Sequence, residues 1–161
     1  MPVISTQQDP QTLTLTLEAE FAAPVERVWQ LWADPRQLER WWGPPTWPAT
    51  FDRHELKPGG ECRYYMTGPD GTKARGWWSV TVADEPNRIE FYDGFANADG
   101  EPVDPDDKTH GLVELSQDGD RTRMHVVSTF RDAEQMKKMS DMGMEEGMTQ
   151  AVNQIDALLA G

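Results

Sequence analysis

Cysteine is nearly absent from this sequence, since Cys62 is the single one among 161 residues. One cysteine cannot close an internal disulfide, and this scarcity is typical of proteins from reducing compartments. No run of about 18 consecutive apolar residues is present, and the first 15 residues lack the basic and apolar regions of a secretion signal. We therefore expect a cytoplasmic protein without a membrane-spanning helix.

Positive charge is also scarce. Lysine and arginine number 15 against 28 aspartates and glutamates, which gives a net charge of −13. A polyanion is repelled by phosphate backbones and anionic lipid surfaces and gains no counterion release on them. We therefore expect neither a nucleic-acid partner nor a membrane partner. At 37% hydrophobic and 27% charged residues, the composition is that of a folded globular protein.

The histidines of this sequence form no recognisable catalytic motif. The histidines are His54, His110 and His125. They fall in different predicted strands, and no third group stands at a spacing that would support a histidine-activated Cys62 thiol. A buried and inert thiol is the expectation. The sequence thus predicts no catalytic residue and no cofactor.

Metal-binding motifs are missing too. If Asn97, Asp99 and Gly100 occupied the third, fifth and sixth places of an EF-hand loop, Phe95 would stand at the first ligand place. Phenylalanine offers no oxygen to a cation. No zinc spacing and no glycine-rich phosphate loop occurs elsewhere, so we expect no metal site and interpret residues 96–108 as a solvated loop.

The first third of the chain predicts one strand and two short helices. "TLTLTLEAEF", residues 12–21, alternates apolar and polar residues as a half-buried strand does. Apolar residues at helical spacing predict a helix over 24–33. Asp34 is placed to cap a second helix that ends near Trp42, because "GPP" then stops it. Residues 1–11 are expected to form a flexible N-terminal tail.

The middle of the chain predicts an antiparallel meander. Six short apolar-rich segments between residues 47 and 131 are separated by turn sequences such as "KPGG" and "QDGD", which favour tight antiparallel connections. Asp132 is placed to cap a helix, with Gln135 three residues on. From there onward the apolar period is helical, and a helix of about 28 residues would span roughly 40 Å. We predict an α+β domain over 12–161, in which this long C-terminal helix covers a curved seven-stranded sheet.

Several segments resemble a known family. They are "FAAPVERVWQLWADPRQLERWWGP", "ELKPGGECRYYM", "DGTKARGWW" and "MEEGMTQAVNQIDALLA". Over residues 13–160 the chain resembles the activator-of-heat-shock-protein-90-ATPase-like family of the START-like (SRPBCC) helix-grip superfamily. The resemblance implies a curved antiparallel sheet that grips a long C-terminal helix, with a hydrophobic cavity between them. It also implies a link to chaperones and the stress response.

The chain departs from the family pattern at two places. Gly147 and Met148 stand where many members have Gly-Trp in the last helix, and Cys62 stands where many have an aromatic residue. Both changes replace rigid bulk by smaller or softer side chains. The cavity is therefore expected to differ in volume and shape from the family norm.

Our favoured interpretation is non-catalytic binding of an apolar or amphipathic small molecule in that cavity. Clustered methionines in the last helix suit a deformable lining, and the predicted inward positions follow strand alternation and helix spacing. The predicted lining is Trp42, Tyr64, Trp78, Phe91, Met124, Met144 and Met148.

Other interpretations stay open. One is a protein–protein regulator of a chaperone ATPase. Another is a cyclase- or hydrolase-type enzyme that uses the same cavity, for which Asp93 and His110 are the titratable candidates. The sequence fits either a monomer or a homodimer.

Overall fold

The computed structural model describes residues 2–160, and these form eight strands and five helices. Met1 and Gly161 lie outside the described residues. The elements in chain order are β1 Val3–Asp9, β2 Thr14–Phe21, α1 Val25–Ala33, α2 Pro35–Leu38, β3 Ala49–His54, β4 Glu61–Thr67, β5 Lys73–Asp84, β6 Arg88–Phe95, β7 Lys108–Asp118, β8 Arg121–Thr129, α3 Ala133–Asp141, α4 Met144–Asn153 and α5 Ile155–Ala160.

All eight strands belong to one antiparallel sheet in the order β1-β2-β8-β7-β6-β5-β4-β3. Strands β3 to β8 form the predicted meander, and β2 closes against β8. Along β2 and β8, buried residues alternate with partly exposed ones, so one face of the sheet supplies the core. The predicted α+β class and antiparallel sheet are confirmed.

The sheet has one strand more than the predicted seven. β1, Val3–Asp9, pairs with β2 within the stretch that was expected to be a flexible tail. Its side chains are mostly exposed, so the apolar alternation that reveals the other strands is missing. Backbone pairing and α4 hold it instead, because Val3 N donates to Asn153 Oδ1 at 3.2 Å and Gln8 Nε2 to Glu145 Oε1 at 2.9 Å.

The C-terminal helix is segmented, which corrects the prediction of one continuous helix. Asp132 caps α3 as expected, since its Oδ1 accepts from Gln135 N at 2.8 Å. The chain then breaks at Gly143, whose φ of +82° is left-handed, and again at Gln154 before α5. A glycine adopts that conformation at little cost, so the helical stretch can change direction over the sheet.

The segment after α1 anchors the helices to one another. α2 is shorter than predicted and covers Pro35–Leu38, because residues 39–41 form turns. The buried indole of Trp41 donates from Nε1 to the Leu31 carbonyl oxygen at 2.9 Å. Gln154 Nε2 donates to the Gly43 carbonyl oxygen at 2.7 Å. The "WWG" stretch therefore links α1 to the joint between α4 and α5.

The two glycines of the C-terminal helices predict opposite responses to alanine. Gly143→Ala forces a β-carbon into the left-handed region and should lower the free energy of unfolding by about 1–2 kcal/mol. Gly147 is helical, and a β-carbon there meets no atom within 4 Å, so Gly147→Ala should raise that free energy by up to about 1 kcal/mol. Urea denaturation of both variants measures this. Equal effects at the two positions would contradict the assigned break at Gly143.

Candidate functional site

A cavity of about 320 Å³ lies between the buried face of the sheet and helices α3 and α4. Inward positions of β4, β6, β7 and β8 form its floor, and the side chains of the two helices form its roof. Its apolar lining consists mainly of aromatic residues and methionines: Trp32, Trp41, Trp42, Tyr64, Phe91, Met66, Met139, Met142, Met144 and Met148.

Glycines in the sheet make room for the aromatic lining. A β-carbon on Gly111 would stand 2.8 Å from the Phe91 ring, and one on Gly76 would stand 2.4 Å from the Tyr64 hydroxyl oxygen. Both distances are shorter than van der Waals contact. The two rings can therefore lie flat over neighbouring strands and border the cavity.

Five of the seven predicted lining residues border the cavity: Trp42, Tyr64, Phe91, Met144 and Met148. Trp78 and Met124 do not, and both are fully buried. Trp78 lies behind the wall, with its ring centroid 4.8 Å from that of Trp42 and 4.4 Å from that of Phe91. Met124 is on the correct face of β8 but two residues before Val126, which does border the cavity.

Some cavity residues were not predicted. Trp32, Met139, Met142 and Gln135 border it, and their helical spacing does not tell which side of the short helices meets a hollow rather than solid core. Asp93 borders it as well. The sequence offers Asp93 only with His110, as titratable residues of adjacent predicted strands, for the enzyme interpretation.

The Asp93 carboxylate is the acidic group at the aromatic end of the cavity. Tyr64 Oη donates to Asp93 Oδ1 at 3.1 Å, and the backbone N–H of Gly94 donates to the same side chain. Burial raises the pKa of Asp93 from 3.8 to about 7, against the opposing effect of these two donors. Burial, with the Asp93 charge adding to it, also raises the pKa of Tyr64 well above its usual value.

The cavity reaches the surface between β6 and the joint of α3 and α4. Phe95 and Met142 border it there and are 40% and 59% exposed. Lys138 Nζ lies 3.7 Å from Asp107 Oδ2, and Gln135 Nε2 donates to Asp107 Oδ1 at 2.9 Å. These contacts hold α3 against the segment that leads into β7.

Comparison with known proteins identifies the family of this chain. Residues 22–160 match the model of the family described as "Activator of Hsp90 ATPase homolog 1-like protein". The chain belongs to this family.

Solved structures support this family assignment. Protein Ms6760 from Mycobacterium smegmatis is 49% identical with a TM-score of 0.91, over 98% of this chain and 97% of that one. A protein from Arthrobacter aurescens is 57% identical with a TM-score of 0.93, over 98% and 92%. The AHSA1 (SPO3351) protein from Silicibacter pomeroyi, 24% identical with a TM-score of 0.74 over 91% and 97%, shares the fold. No curated protein matches the chain significantly.

In this activator-of-Hsp90-ATPase-like chain, Asp93 and His110 do not form an acid–base pair. Neighbouring strand residues point to opposite faces, so Phe91 and Asp93 face the cavity while Glu90 and Tyr92 face away. His110 borders the cavity by position, but its Nε2 lies 3.1 Å from Glu90 Oε1 and its ring packs on Tyr92 at 5.3 Å between centroids. The imidazole is therefore on the other face of the sheet.

Cys62 is fully buried, as expected for an inert thiol. Burial raises its pKa to about 12, which keeps the sulfur protonated and unreactive at neutral pH. His54 Nε2 donates to the Trp32 carbonyl oxygen at 3.0 Å. That ring nitrogen is therefore bonded to the backbone and not to the Cys62 thiol.

Within residues 2–160, no group of three or more histidine, cysteine, aspartate or glutamate side chains is arranged to hold a metal ion. In the segment tested against the EF-hand pattern, Asn97 Oδ1 accepts from the backbone of Asp99 at 2.9 Å and of Glu101 at 3.1 Å. That amide oxygen closes a turn. None of the helices over the same residues has the length and apolarity to cross a membrane.

The raised pKa of Asp93 predicts how stability depends on pH. Because the folded pKa, about 7, lies above the usual 3.8, the stabilising contribution is complete below about pH 4 and is lost as pH rises through 7. Asp93→Asn cannot ionise. Relative to this variant, the parent should lose about 3–4 kcal/mol of unfolding free energy between pH 4 and pH 8.

Urea denaturation at several pH values measures this difference. Asp99→Asn, at an exposed loop position, is the matched control and should follow the parent at every pH. If the difference between the parent and Asp93→Asn stays constant from pH 4 to pH 8, Asp93 is not the desolvated carboxyl described above.

Proposed function

We propose that this protein binds an apolar or amphipathic small molecule in the cavity and does not catalyse a reaction on it. The observation that carries the proposal is a hollow of about 320 Å³, bordered chiefly by aromatic residues and methionines. It lies beside a core of buried apolar side chains. Its volume falls within the range of ligand sites, which are mostly apolar with few polar groups. Filling it would remove apolar surface from water.

The roof of the cavity suits ligands of different shape. Met139, Met142, Met144 and Met148 border it from α3 and α4, and unbranched thioether side chains adapt to irregular surfaces. Gly147 adds free space between them because a β-carbon there would meet no atom within 4 Å. His110 pairs with Glu90 and not with Asp93, so the acid–base pair considered for the enzyme interpretation is not formed, which favours binding over catalysis.

A chaperone-regulating role is the alternative, and the family description supports it. That description names an activator of the Hsp90 ATPase, and the charge of −13 offers long-range attraction to a basic partner surface. The ATPase rate of the purified chaperone with and without this protein decides it. An unchanged rate and no complex would remove the alternative. Either role is proposed for the cytoplasm.

Cavity occlusion tests the binding proposal. N-phenyl-1-naphthylamine, an uncharged dye that fluoresces in apolar surroundings, should bind the parent and Gly147→Ala. Gly147→Leu should weaken binding by about tenfold or more, because the larger side chain occupies the hollow. Both substitutions improve helix propensity, so lost binding cannot be ascribed to unfolding if the melting temperatures match or rise.

Equal dye affinity in all three proteins would contradict binding in this cavity. Tryptophan emission provides an independent readout, because Trp42 borders the cavity. Dye that quenches the parent should quench Trp42→Phe less, and identical quenching in both proteins would place the dye away from Trp42.

A further inference from the structure

The unusual feature of the cavity is a carboxylate among aromatic rings. Asp93 shares the lining with Trp42, Tyr64 and Phe91. A carboxylate can accept about four hydrogen bonds, and the donors to Asp93 are the Tyr64 hydroxyl and the Gly94 N–H. The side chain therefore retains acceptor capacity that faces the hollow.

The basic residues that border the cavity, Lys138 and His110, pair with carboxylates other than Asp93. Burial and the two hydrogen-bond donors shift the pKa of Asp93. No lysine, arginine or histidine of the described residues contributes to that shift. From α3, Lys138 pairs with Asp107 at the mouth. From β7, His110 pairs with Glu90 on the outer face. A carboxylate that is largely removed from water without a counterion is costly, and Asp93 is half-buried; such groups cluster at functional sites.

The chemistry of the site selects among ligand head groups. A primary ammonium supplies a positive charge and three donors to the free acceptor positions of Asp93. Aromatic rings stabilise an adjacent cation through their quadrupoles. A ligand carboxylate would instead bring a second negative charge beside Asp93, and an alcohol would bring one donor and no charge. The overall charge of −13 also draws cations toward the molecule.

We propose that the cavity takes an apolar primary amine, with the ammonium group against Asp93 and the hydrocarbon body along the methionines of α3 and α4. This inference rests on the proposed binding function and adds the class of ligand. It assigns Asp93 as the specificity-determining residue and Tyr64 as the residue that positions its carboxylate.

Three ligands of matched length test the inference: 4-phenylbutylamine, 4-phenylbutan-1-ol and 4-phenylbutanoate. Displacement of N-phenyl-1-naphthylamine at pH 7.5 and 0.15 M salt gives their affinities. The parent should bind the amine at least about tenfold more tightly than the alcohol, and the carboxylate most weakly. Asp93→Asn should lose this preference while keeping the affinity for the alcohol within about threefold.

Two controls keep the outcome specific. Asp99→Asn removes an exposed carboxylate of the same kind and should retain the full preference for the amine, which excludes a general effect of protein charge. Dye binding by Asp93→Asn shows that its cavity is intact. If that variant does not fold, Tyr64→Phe replaces it and should reduce the preference for the amine, because the carboxylate loses its positioning donor.

The failures can be told apart. If the parent binds the amine no better than the alcohol, or if Asp93→Asn keeps the preference, the amine inference is overturned while binding in the cavity stands. If the carboxylate binds best, the inference is likewise overturned. If dye affinity does not respond to Gly147→Leu, the proposed function fails, and the amine inference fails with it.

Discussion

One geometric constraint underlies this molecule: short, straight helices must cover the apolar face of a continuous eight-stranded sheet. The helices meet that face closely at one end, where Ile155 is fully buried. Before that point Met144 and Met148 are half-buried, and the hollow lies beneath them. The left-handed break at Gly143 lets α3 turn away without closing the space.

The rest of the structure holds this hollow open. The ring cluster centred on Trp42 and Trp78 forms a rigid wall, and Gln154 fastens α4 to the "WWG" segment. At the mouth, Asp107 receives both Gln135 and Lys138. Since both ends are fixed, the apolar volume between them is not eliminated by collapse, although filling it with side chains would stabilise the fold.

Much of this could be predicted from the sequence, because strand alternation and turn residues are local signals. The six meander strands, the Asp34 and Asp132 caps and five of the lining residues follow from them. The predictions that failed concern features that depend on tertiary structure. β1 is held by pairing with β2 rather than by apolar alternation. Alternation gives the face of Trp78 and Met124 but not their distance from the hollow, and the environment of Asp93 exists only once β4 and β6 are assembled.

Methyl NMR of the methionines tests the account most directly, because the side chains that border the hollow report on its occupancy. On saturation with N-phenyl-1-naphthylamine, the methyl signals of Met139, Met144 and Met148 should shift strongly, whereas that of Met124, which is fully buried away from the cavity, should not. Shifts confined to Met124 and Met136, which do not border the cavity, or none at all while the dye is bound, would contradict a ligand cavity between the sheet and the C-terminal helices.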